Sequence, residues 1–311
     1  MTEPVGLISD VHGNWPAFEA VLADMKKRGI KNIWFLGDVV DFGPWPNKCL
    51  EVVNEVCGPQ RVLGNHDLAV AGIDREEQVD KSWLGIADWT AQKLGTKGVA
   101  ALHEGIALTA TFNTGRLNVS VAHALPVVSP KVKYGETTPY IYAGTHMHPE
   151  TPPLREIGSA MVQQKIDVAA YGHTHIPFIY AMKPGKLYGL PMQEALRTKL
   201  SRYRDHWYRS SLEKRPRPCP EYAMQIERGK KIIVNVPACG QPRDNDPRTG
   251  YAIISEREVR IVRLNYKIQQ VTQAMSMSGM PLTDSQTQNL QNFLHYGDVL
   301  PTHSQKMKPE R

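Results

Sequence analysis

Short apolar runs alternate with amphipathic segments along the first sixty residues of the chain. Residues 4–9 and 32–36 are apolar runs typical of strands, and residues 61–63 are predicted as a third strand. Residues 15–28 and 47–56 have the spacing of helices between them. This order of strand, helix, strand, helix and strand predicts a right-handed parallel sheet. In open sheets of this kind, ligands bind beyond the carboxyl ends of the strands. We therefore expect a functional site where these three runs end.

The later part of the chain continues the pattern with less regular spacing. It predicts further helices over 79–94, 154–164, 268–277 and 284–293, and strands over 106–111, 117–122, 168–171, 178–182, 231–236, 251–255 and 259–264. A long stretch with several prolines, 125–153, lacks such a pattern, and loops of this length are usually functional or mobile. We expect one α/β domain over residues 1–300, with a basic insertion at about 183–230 and a polar tail over 301–311.

Side chains that can bind metal ions stand directly after five of the predicted strands. They are Asp10 and His12, Asp38, Asn65 and His66, His123, and His173 and His175. Carboxylates, an amide oxygen and imidazoles without a thiolate suit Mn²⁺, Fe, Zn²⁺, Co²⁺ or Ni²⁺ better than Ca²⁺ or a structural zinc ion. These candidate ligands are more numerous than the coordination shell of one metal can hold, and their number suits two metals that share a carboxylate. Two metals about 3.5–4 Å apart are an arrangement that hydrolyses phosphate esters.

The order of these motifs resembles that of the calcineurin-like metallophosphoesterases. The motifs are Asp10-x-His12, Gly37-Asp38-x-x-Asp41, Gly64-Asn65-His66-Asp67, His123 and Gly172-His173-Thr174-His175. The stretches 9–14 and 240–247 look like the small bacterial and archaeal phosphodiesterase branch, whose members are often called diadenosine-tetraphosphatase-like. The resemblance covers about residues 4–182 and 230–290. It implies a four-layer α/β/β/α sandwich of two mixed sheets flanked by helices.

The resemblance also implies a role for each motif residue. One metal would be held by Asp10, His12 and His175, the other by Asn65, His123 and His173, and Asp38 would bridge them. His66 would protonate or stabilise the leaving oxygen, and Asp41 would orient His66 and keep it protonated. Some relatives lack a histidine at the position of His66 and accept only diesters with good leaving groups. Its presence here keeps monoesters within the expected substrate range.

Two positions bear on the substrate. Protein Ser/Thr phosphatases have a phosphate-clamping arginine after the second aspartate, where this chain has Phe42, and this argues against a phosphoprotein phosphatase. Asn65 and Arg243 are the candidate substrate-binding residues. For Arg243 the alternative is a salt bridge with Asp244 or Asp246.

Positive charge is concentrated in one segment of the predicted insertion. The chain has a formal net charge of +6 and a pI near 9.0, and residues 196–217 alone hold eight Arg or Lys and two acids, a local net charge of 8 − 2 = +6. Leu196, Leu200, Tyr203 and Trp207 have the spacing of one helix face. Such a helix either packs on the body or on a second subunit, or forms a lid that attracts a dinucleoside polyphosphate or a nucleic acid.

Other features narrow the class of protein. We expect a cytoplasmic protein without a membrane span, because the chain has no apolar run of eighteen residues and no leader-like start. Four scattered cysteines predict neither a disulfide framework nor a zinc ribbon. His146 and His148 are either part of a solvated loop or a third metal site.

Together these observations predict a di-metal phosphoric ester hydrolase. The main hypothesis is a phosphodiesterase that cleaves a nucleotide-type phosphoester or phosphoanhydride by in-line attack of a metal-bridging hydroxide, with Mn²⁺ as the first choice of metal. The alternatives are a phosphomonoesterase or protein phosphatase, and a regulatory module of the same fold that binds nucleic acid or a partner. A scaffold that has lost catalysis usually loses ligands, so the full ligand set together with His66 favours the enzyme.

Overall fold

The computed structural model describes residues 3–104, 107–124, 152–183, 186–189, 221–244 and 246–297. The strands are β1 Val5–Ile8, β2 Asn32–Phe35, β3 Thr109–Asn113, β4 Asn118–Ala122, β5 Val168–Tyr171, β6 Phe178–Lys183, β7 Lys186–Gly189, β8 Glu221–Gln225, β9 Lys231–Asn235, β10 Thr249–Ile254 and β11 Glu258–Leu264. The α-helices are α1 Trp15–Lys27, α2 Pro46–Cys57, α3 Asn65–Val70, α4 Arg75–Gln78, α5 Leu84–His103, α6 Pro152–Gln163, α7 Ile268–Met277 and α8 Asp284–Tyr296.

The strands form two mixed sheets. The first sheet has the order β2-β1-β10-β11-β8 and the second has the order β3-β4-β5-β9-β6-β7. Strands β1 and β2 are parallel, as are β4, β5 and β9, and the other neighbours are antiparallel. The strand predicted over 61–63 is reduced to a single bridge between Phe35 and Arg61. The parallel sheet predicted for the first sixty residues is therefore only the β1–β2 part of the first sheet.

The two sheets pack face to face between layers of helices. Leu7 and Ile261 of the first sheet and Val121 and Val234 of the second belong to one buried apolar cluster. Helices α1 and α2 cover the outer face of the first sheet, and α6 covers the second sheet through Met161. This is the predicted four-layer α/β/β/α sandwich.

Helix α1 shows how a short loop comes to lie over the sheet edge. The side chain of Asn14 caps the helix by accepting the backbone N–H of Ala17 at 3.2 Å, and Pro16 occupies the first turn. The helix ends before Gly29, which has a φ of 71°. Because β1 ends at Ile8 and α1 begins at Trp15, residues 9–14 form a tight loop at the carboxyl edge of the sheet.

Two stretches differ from the prediction. The helix predicted over 79–94 begins at Leu84, after a 3₁₀ turn over Lys81–Trp83, and continues to His103 across a break at Gly95. Within the range predicted as an insertion, β7 pairs with β6 and β8 pairs with β11, so both ends of that range extend the sheets. The helix predicted in 196–217, the pair His146 and His148 and the tail over 301–311 lie outside the described residues.

The last two helices pack on the loop that follows β2. Phe42 joins Val271 and Met275 of α7 and Leu290 of α8 in one buried cluster. Thr283 and Gln286 form a capping box at the start of α8. The α7–α8 pair is therefore a helical hairpin placed beside the carboxyl edge of the sheets.

No helix in the part of the chain that the structure describes is long and apolar enough to cross a membrane.

Candidate metal centre

The carboxyl ends of the strands bring together two groups of ligands, all of them buried except the half-buried His173. The first group is Asp10, His12, Asp38 and His175, and the second is Asp38, His123 and His173. Within each group the ligand atoms lie within 4.8 Å of one another. Asp38 belongs to both groups. The grouping corresponds to the division of ligands that the resemblance implies.

The first group combines ligands that are far apart in the chain. His12 Nε2 lies 3.2 Å from His175 Nε2, and His175 Nε2 lies 3.2 Å from Asp10 Oδ1. His12 Nε2 is 3.7 Å from Asp38 Oδ2. Two imidazole nitrogens and two carboxylates directed at one point are a donor set for a borderline divalent cation. The residues present therefore fit a metal ion.

The second group adds an amide oxygen. His123 Nε2 lies 3.1 Å from Asp38 Oδ2 and 3.2 Å from His173 Nδ1. The side-chain oxygen of Asn65 is 3.1 Å from His123 Nε2 and 3.0 Å from His173 Nδ1. The structure thus gathers all seven predicted metal ligands, including the amide of Asn65, into one buried centre.

Backbone carbonyls orient these ligands. The Nδ1 atoms of three imidazoles face a main-chain oxygen: His12 faces Val40 at 3.3 Å, His123 faces Leu36 at 2.8 Å, and His175 faces Gln241. A proton on Nδ1 leaves the Nε2 lone pair directed at the centre. Asn65 is oriented in the same way, since its Nδ2 donates to the carbonyl of Gln78 at 2.7 Å. Sequence reasoning did not identify these partners, because a carbonyl acceptor carries no residue-specific signal.

Asp67 is a second residue whose role the sequence did not reveal. Its buried carboxylate accepts the backbone N–H of Asp38 at 2.8 Å, of Val39 at 2.9 Å and of Gly64 at 3.1 Å. It therefore ties the loop that holds the shared ligand to the loop that starts α3. Its place in the Gly64-Asn65-His66-Asp67 motif was the available signal.

The ligand loops are also conformationally unusual. Five of the ligands have a positive φ: Asp10 54°, His12 47°, Asp38 59°, His173 64° and His175 59°. Residues other than glycine pay about 1 kcal/mol or more for this conformation, and such strain concentrates at functional sites. The strain turns the backbone sharply at the strand ends, so that several side chains point to the same centre.

Close packing requires glycine at two positions of the centre. A Cβ on Gly172 would lie 1.8 Å from Ser9 Oγ and 2.4 Å from Asp10 Oδ2. A Cβ on Gly64 would lie 2.0 Å from Asp38 Oδ1. The missing Cβ atoms thus leave room for ligand carboxylates.

Burial and neighbouring charges set the protonation of the ligands. Burial lowers the pKa of His12 and His175 and lowers that of His173 to about 3, so these imidazoles are neutral near pH 7. Burial acts in the same direction on His123, but the carboxylate of Asp38 outweighs it and raises the pKa of His123 to about 9. Because a metal ligand must be unprotonated, a cation at this position competes with the proton of His123.

His66 and Asp41 stand at the edge of the centre. His66 Nδ1 lies 2.7 Å from Asp41 Oδ2, and the backbone N–H of His66 donates to Asp38 Oδ1 at 2.9 Å. Burial alone would lower the pKa of His66, but the carboxylates of Asp38 and Asp41 raise it above its usual value. The His66 side chain keeps 13% of its surface exposed, whereas that of Asp41 is fully buried. The pair therefore places an imidazole with a raised pKa at the rim of the centre.

Phe42 occupies the place next to this pair. Its ring centroid lies 4.6 Å from that of His66 and 5.0 Å from that of His12. The ring of Trp83 packs edge-on against Phe42 at 5.1 Å. An apolar wall therefore stands here in place of the cation that the protein phosphatases have.

Arg243 lies in the loop after β9, beside His175. The two carboxylates predicted as its alternative partners pair with other arginines, Asp244 with Arg263 at 2.9 Å and Asp246 with Arg248 at 2.8 Å. The Nη2 of Arg243 donates to Gln241 Oε1 at 2.7 Å. After burial, the positive charge of Arg243 is the next largest influence that lowers the pKa of His175. Its guanidinium charge therefore acts on the metal centre.

The calcineurin-like phosphoesterase family model matches residues 3–177, which is more than half of the chain, and the protein belongs to this family. The predicted family and fold are thereby confirmed. Membership makes it a phosphoric ester hydrolase of a family that uses divalent metal ions, and the buried Asp and His groups can bind such an ion.

Three known proteins match nearly the whole chain. It is similar to the uncharacterized protein MJ0912 of Methanocaldococcus jannaschii, with 26% identity over 89% of this chain and 93% of the relative. It is also similar to a metallophosphoesterase from Sphaerobacter thermophilus, with 25% identity, a TM-score of 0.62 and coverage of 96% and 100% of the two chains. The protein PH1004 of Pyrococcus horikoshii shares the fold at 14% identity, with a TM-score of 0.63 and coverage of 96% and 99%.

Proposed function

We propose that this protein is a phosphodiesterase that hydrolyses a nucleotide-type phosphoester or phosphoanhydride with two divalent transition metals. The observation that carries the proposal is the pair of ligand groups that share Asp38, with His66 and Asp41 at their edge. When bound, the two cations supply an activated water nucleophile and stabilise the negative charge that develops on the phosphoryl oxygens.

The proposed ligands for one metal are Asp10, His12 and His175, for the other Asn65, His123 and His173, with Asp38 shared. Asn65 directs its oxygen at two imidazoles and uses its Nδ2 to bind Gln78. This arrangement suits a metal ligand better than a contact to substrate phosphate. Arg243 then becomes the main proposed phosphate contact, since its charge acts on His175 and His66.

His66 is the proposed general acid. Asp41 holds its Nδ1 at 2.7 Å, which leaves Nε2 to deliver a proton to the leaving oxygen. The pKa of His66, which Asp38 and Asp41 raise against the effect of burial, favours the protonated form that a general acid needs. An acid of this kind matters most for poor leaving groups, because these need protonation in the transition state.

The proposal also covers the metal, the substrate class and the partners. Mn²⁺ is the proposed metal, with Fe, Zn²⁺, Co²⁺ and Ni²⁺ as the alternatives. Phe42 in place of a clamping arginine supports a diester over a phosphoprotein substrate. Binding of nucleic acid and formation of a homo-oligomer depend on the predicted helix in 196–217, which lies outside the described residues.

The experiment is hydrolysis of bis-p-nitrophenyl phosphate by the full chain, with added Mn²⁺ and with a chelator. We expect turnover that Mn²⁺ restores after chelation, and a higher kcat/KM than for the monoester p-nitrophenyl phosphate. A comparison of dinucleoside polyphosphates with cyclic nucleotides would then define the natural class. Absence of metal-dependent turnover, in protein shown to bind two Mn²⁺ ions, would refute the proposal.

A further inference from the structure

An aromatic ring from the last helix lies against the guanidinium of Arg243. The guanidinium carbon is 4.9 Å from the centroid of the Phe293 ring. A cation over an aromatic face at this distance is attracted by the ring quadrupole, and the contact strengthens where water is excluded. Phe293 is half-buried, and it comes from α8, fifty residues after Arg243. This contact joins the C-terminal hairpin to the loop of the metal centre.

Two further contacts fix Arg243 beside a metal ligand. Its backbone N–H donates to the carbonyl of His175 at 3.2 Å, and its Nη2 donates to Gln241 Oε1 at 2.7 Å. The carbonyl of Gln241 in turn faces His175 Nδ1. Together with the Phe293 ring, these contacts restrain three parts of Arg243: its main chain, one edge of its guanidinium and the face of its guanidinium. An arginine restrained in this way loses little side-chain entropy when it binds an anion.

The helix that carries Phe293 is itself anchored to the body of the protein. Near its start, Gln286 Nε2 donates to the carbonyl of Ser82 at 2.7 Å. At its end, a Cβ on Gly297 would lie 2.5 Å from the backbone nitrogen of Asp246. One face of the helix also reaches the centre, because Leu290 and Leu294 line a cavity together with His12. These contacts of the helix therefore restrain the position of the Phe293 ring.

We propose that Phe293 is a positioning residue that holds the guanidinium of Arg243 at the metal centre, so that the C-terminal hairpin forms part of the phosphate-binding site. This inference rests on the proposed function, because it takes Arg243 as the phosphate contact. The ligand class is an anionic phosphoryl group. Removal of the ring takes away the contact on the guanidinium face, so the guanidinium is less restrained and substrate binding then carries part of the cost of ordering it.

The test compares two variants that differ in the ring. Phe293→Leu keeps an apolar side chain but removes the ring, and Phe293→Tyr keeps the ring. We expect Phe293→Leu to raise KM for bis-p-nitrophenyl phosphate and the inhibition constant of inorganic phosphate by about 3- to 10-fold, with kcat changed less than about 2-fold. Phe293→Tyr should stay within about 2-fold of the parent. Lys93→Met removes an exposed cation from the ring of Trp89 and is the control, with unchanged constants.

A double-mutant cycle separates positioning from a general structural effect. In the Arg243→Ala background, Phe293→Leu should have no further effect on KM, because the group that it positions is gone. An equal loss in both backgrounds, or an unchanged phosphate inhibition constant in Phe293→Leu, overturns the inference. If Phe293→Leu does not fold by circular dichroism, Phe293→Met replaces it in the same cycle.

Failure of the proposed function can be recognised separately. The dissociation constant of inorganic phosphate with the Mn²⁺-loaded protein is measured by calorimetry, which needs no turnover. If the parent binds phosphate and Phe293→Leu weakens that binding, the inference about Phe293 holds even when bis-p-nitrophenyl phosphate is not hydrolysed. If the parent turns over the diester and the ring variants bind phosphate equally well, the inference fails and the proposed function stands.

Discussion

A single methyl group at Gly64 should remove the proposed metal centre. The backbone of Gly64 has φ −97° and ψ 174°, which alanine adopts without strain, so Gly64→Ala acts through contact alone. The new Cβ would lie 2.0 Å from Asp38 Oδ1 and 2.5 Å from the backbone nitrogen of Asp38. Cβ atoms essentially never approach another heavy atom within 3.0 Å, so Asp38 Oδ1 and residue 64 must separate by at least 3.0 − 2.0 = 1.0 Å.

This displacement is large on the scale of metal coordination. Metal–ligand distances in working sites vary by about 0.2 Å, so a carboxylate displaced by 1.0 Å is lost as a ligand. Rotation of the Asp38 side chain cannot relieve the contact fully, because the backbone nitrogen is also too close. Since Asp38 belongs to both ligand groups, we expect both metals to be affected. The expected loss of Mn²⁺ affinity is at least about 100-fold, at the upper end of the losses seen when residues that support a ligand are changed.

The assay is Mn²⁺ content and affinity by equilibrium dialysis, together with turnover of bis-p-nitrophenyl phosphate. Gly85→Ala is the matched control, since Gly85 is exposed near the start of α5 and nothing lies within 4 Å of its Cβ position. The control should bind two Mn²⁺ ions and gain up to about 1 kcal/mol of stability from helix propensity. Circular dichroism shows whether Gly64→Ala is folded. A folded Gly64→Ala that binds two ions with parental affinity would refute the reasoning.

The other predictions concern the proposed ligands and the general acid. Asp38→Asn should abolish activity and lower metal occupancy at both positions, and retention of both metals would contradict its shared role. His66→Ala should keep both metals and reduce kcat most for poor leaving groups, so that an equal loss for p-nitrophenyl and alkyl esters would contradict a general acid. Asp38 and Asp41 raise the pKa of His66 against burial, so Asp41→Asn should lower that pKa and move the alkaline limb of the pH–rate profile to lower pH. An unchanged limb would contradict this role. The contribution of the His66–Asp41 pair to folding stability is complete below about pH 6.5 and is lost as pH rises through the raised pKa of His66. Chelation should lower the melting temperature, because Mn²⁺ at 100 times its Kd adds about 2.7 kcal/mol of stability; equal melting with and without chelator would argue against a metal centre.

The elements predicted from hydrophobic pattern follow the structure where the pattern is strong. The ranges for β5 and α7 coincide with the observed ones, and β9 and β10 agree within two residues. The prediction failed where the signal is weak. Strand β8 has no fully buried residue and lies at the edge of its sheet, so it shows little alternation of apolar and polar positions. Residues 61–63 include only two apolar side chains, and Arg61 makes only a bridge.

The residues that support the ligands show a second limit of sequence reasoning. Asp67 lies in a motif of the site, but the motif does not show which backbone groups its carboxylate binds, and Phe293 contacts Arg243 from a position that carries no metal-binding signature. Carbonyl acceptors such as those of Leu36 and Gln78 are available at every residue of the chain. Which of them meets an imidazole or an amide depends on how the loops pack. These contacts are visible only in three dimensions.

The motifs at the ends of the apolar runs were sufficient to predict the family by resemblance, and that resemblance implied the layered fold and the roles of the seven candidate ligands. Each of these signals is local, because a strand and the loop that follows it are adjacent in sequence. Tertiary structure alone showed that His12 and His175, 163 residues apart, face each other at 3.2 Å and that Asp38 Oδ2 lies 3.1 Å from His123 Nε2 and 3.7 Å from His12 Nε2. It also brought Phe293 against Arg243. The physical reason is that these contacts form between distant segments, and only the packing of two sheets and their helices determines which segments meet.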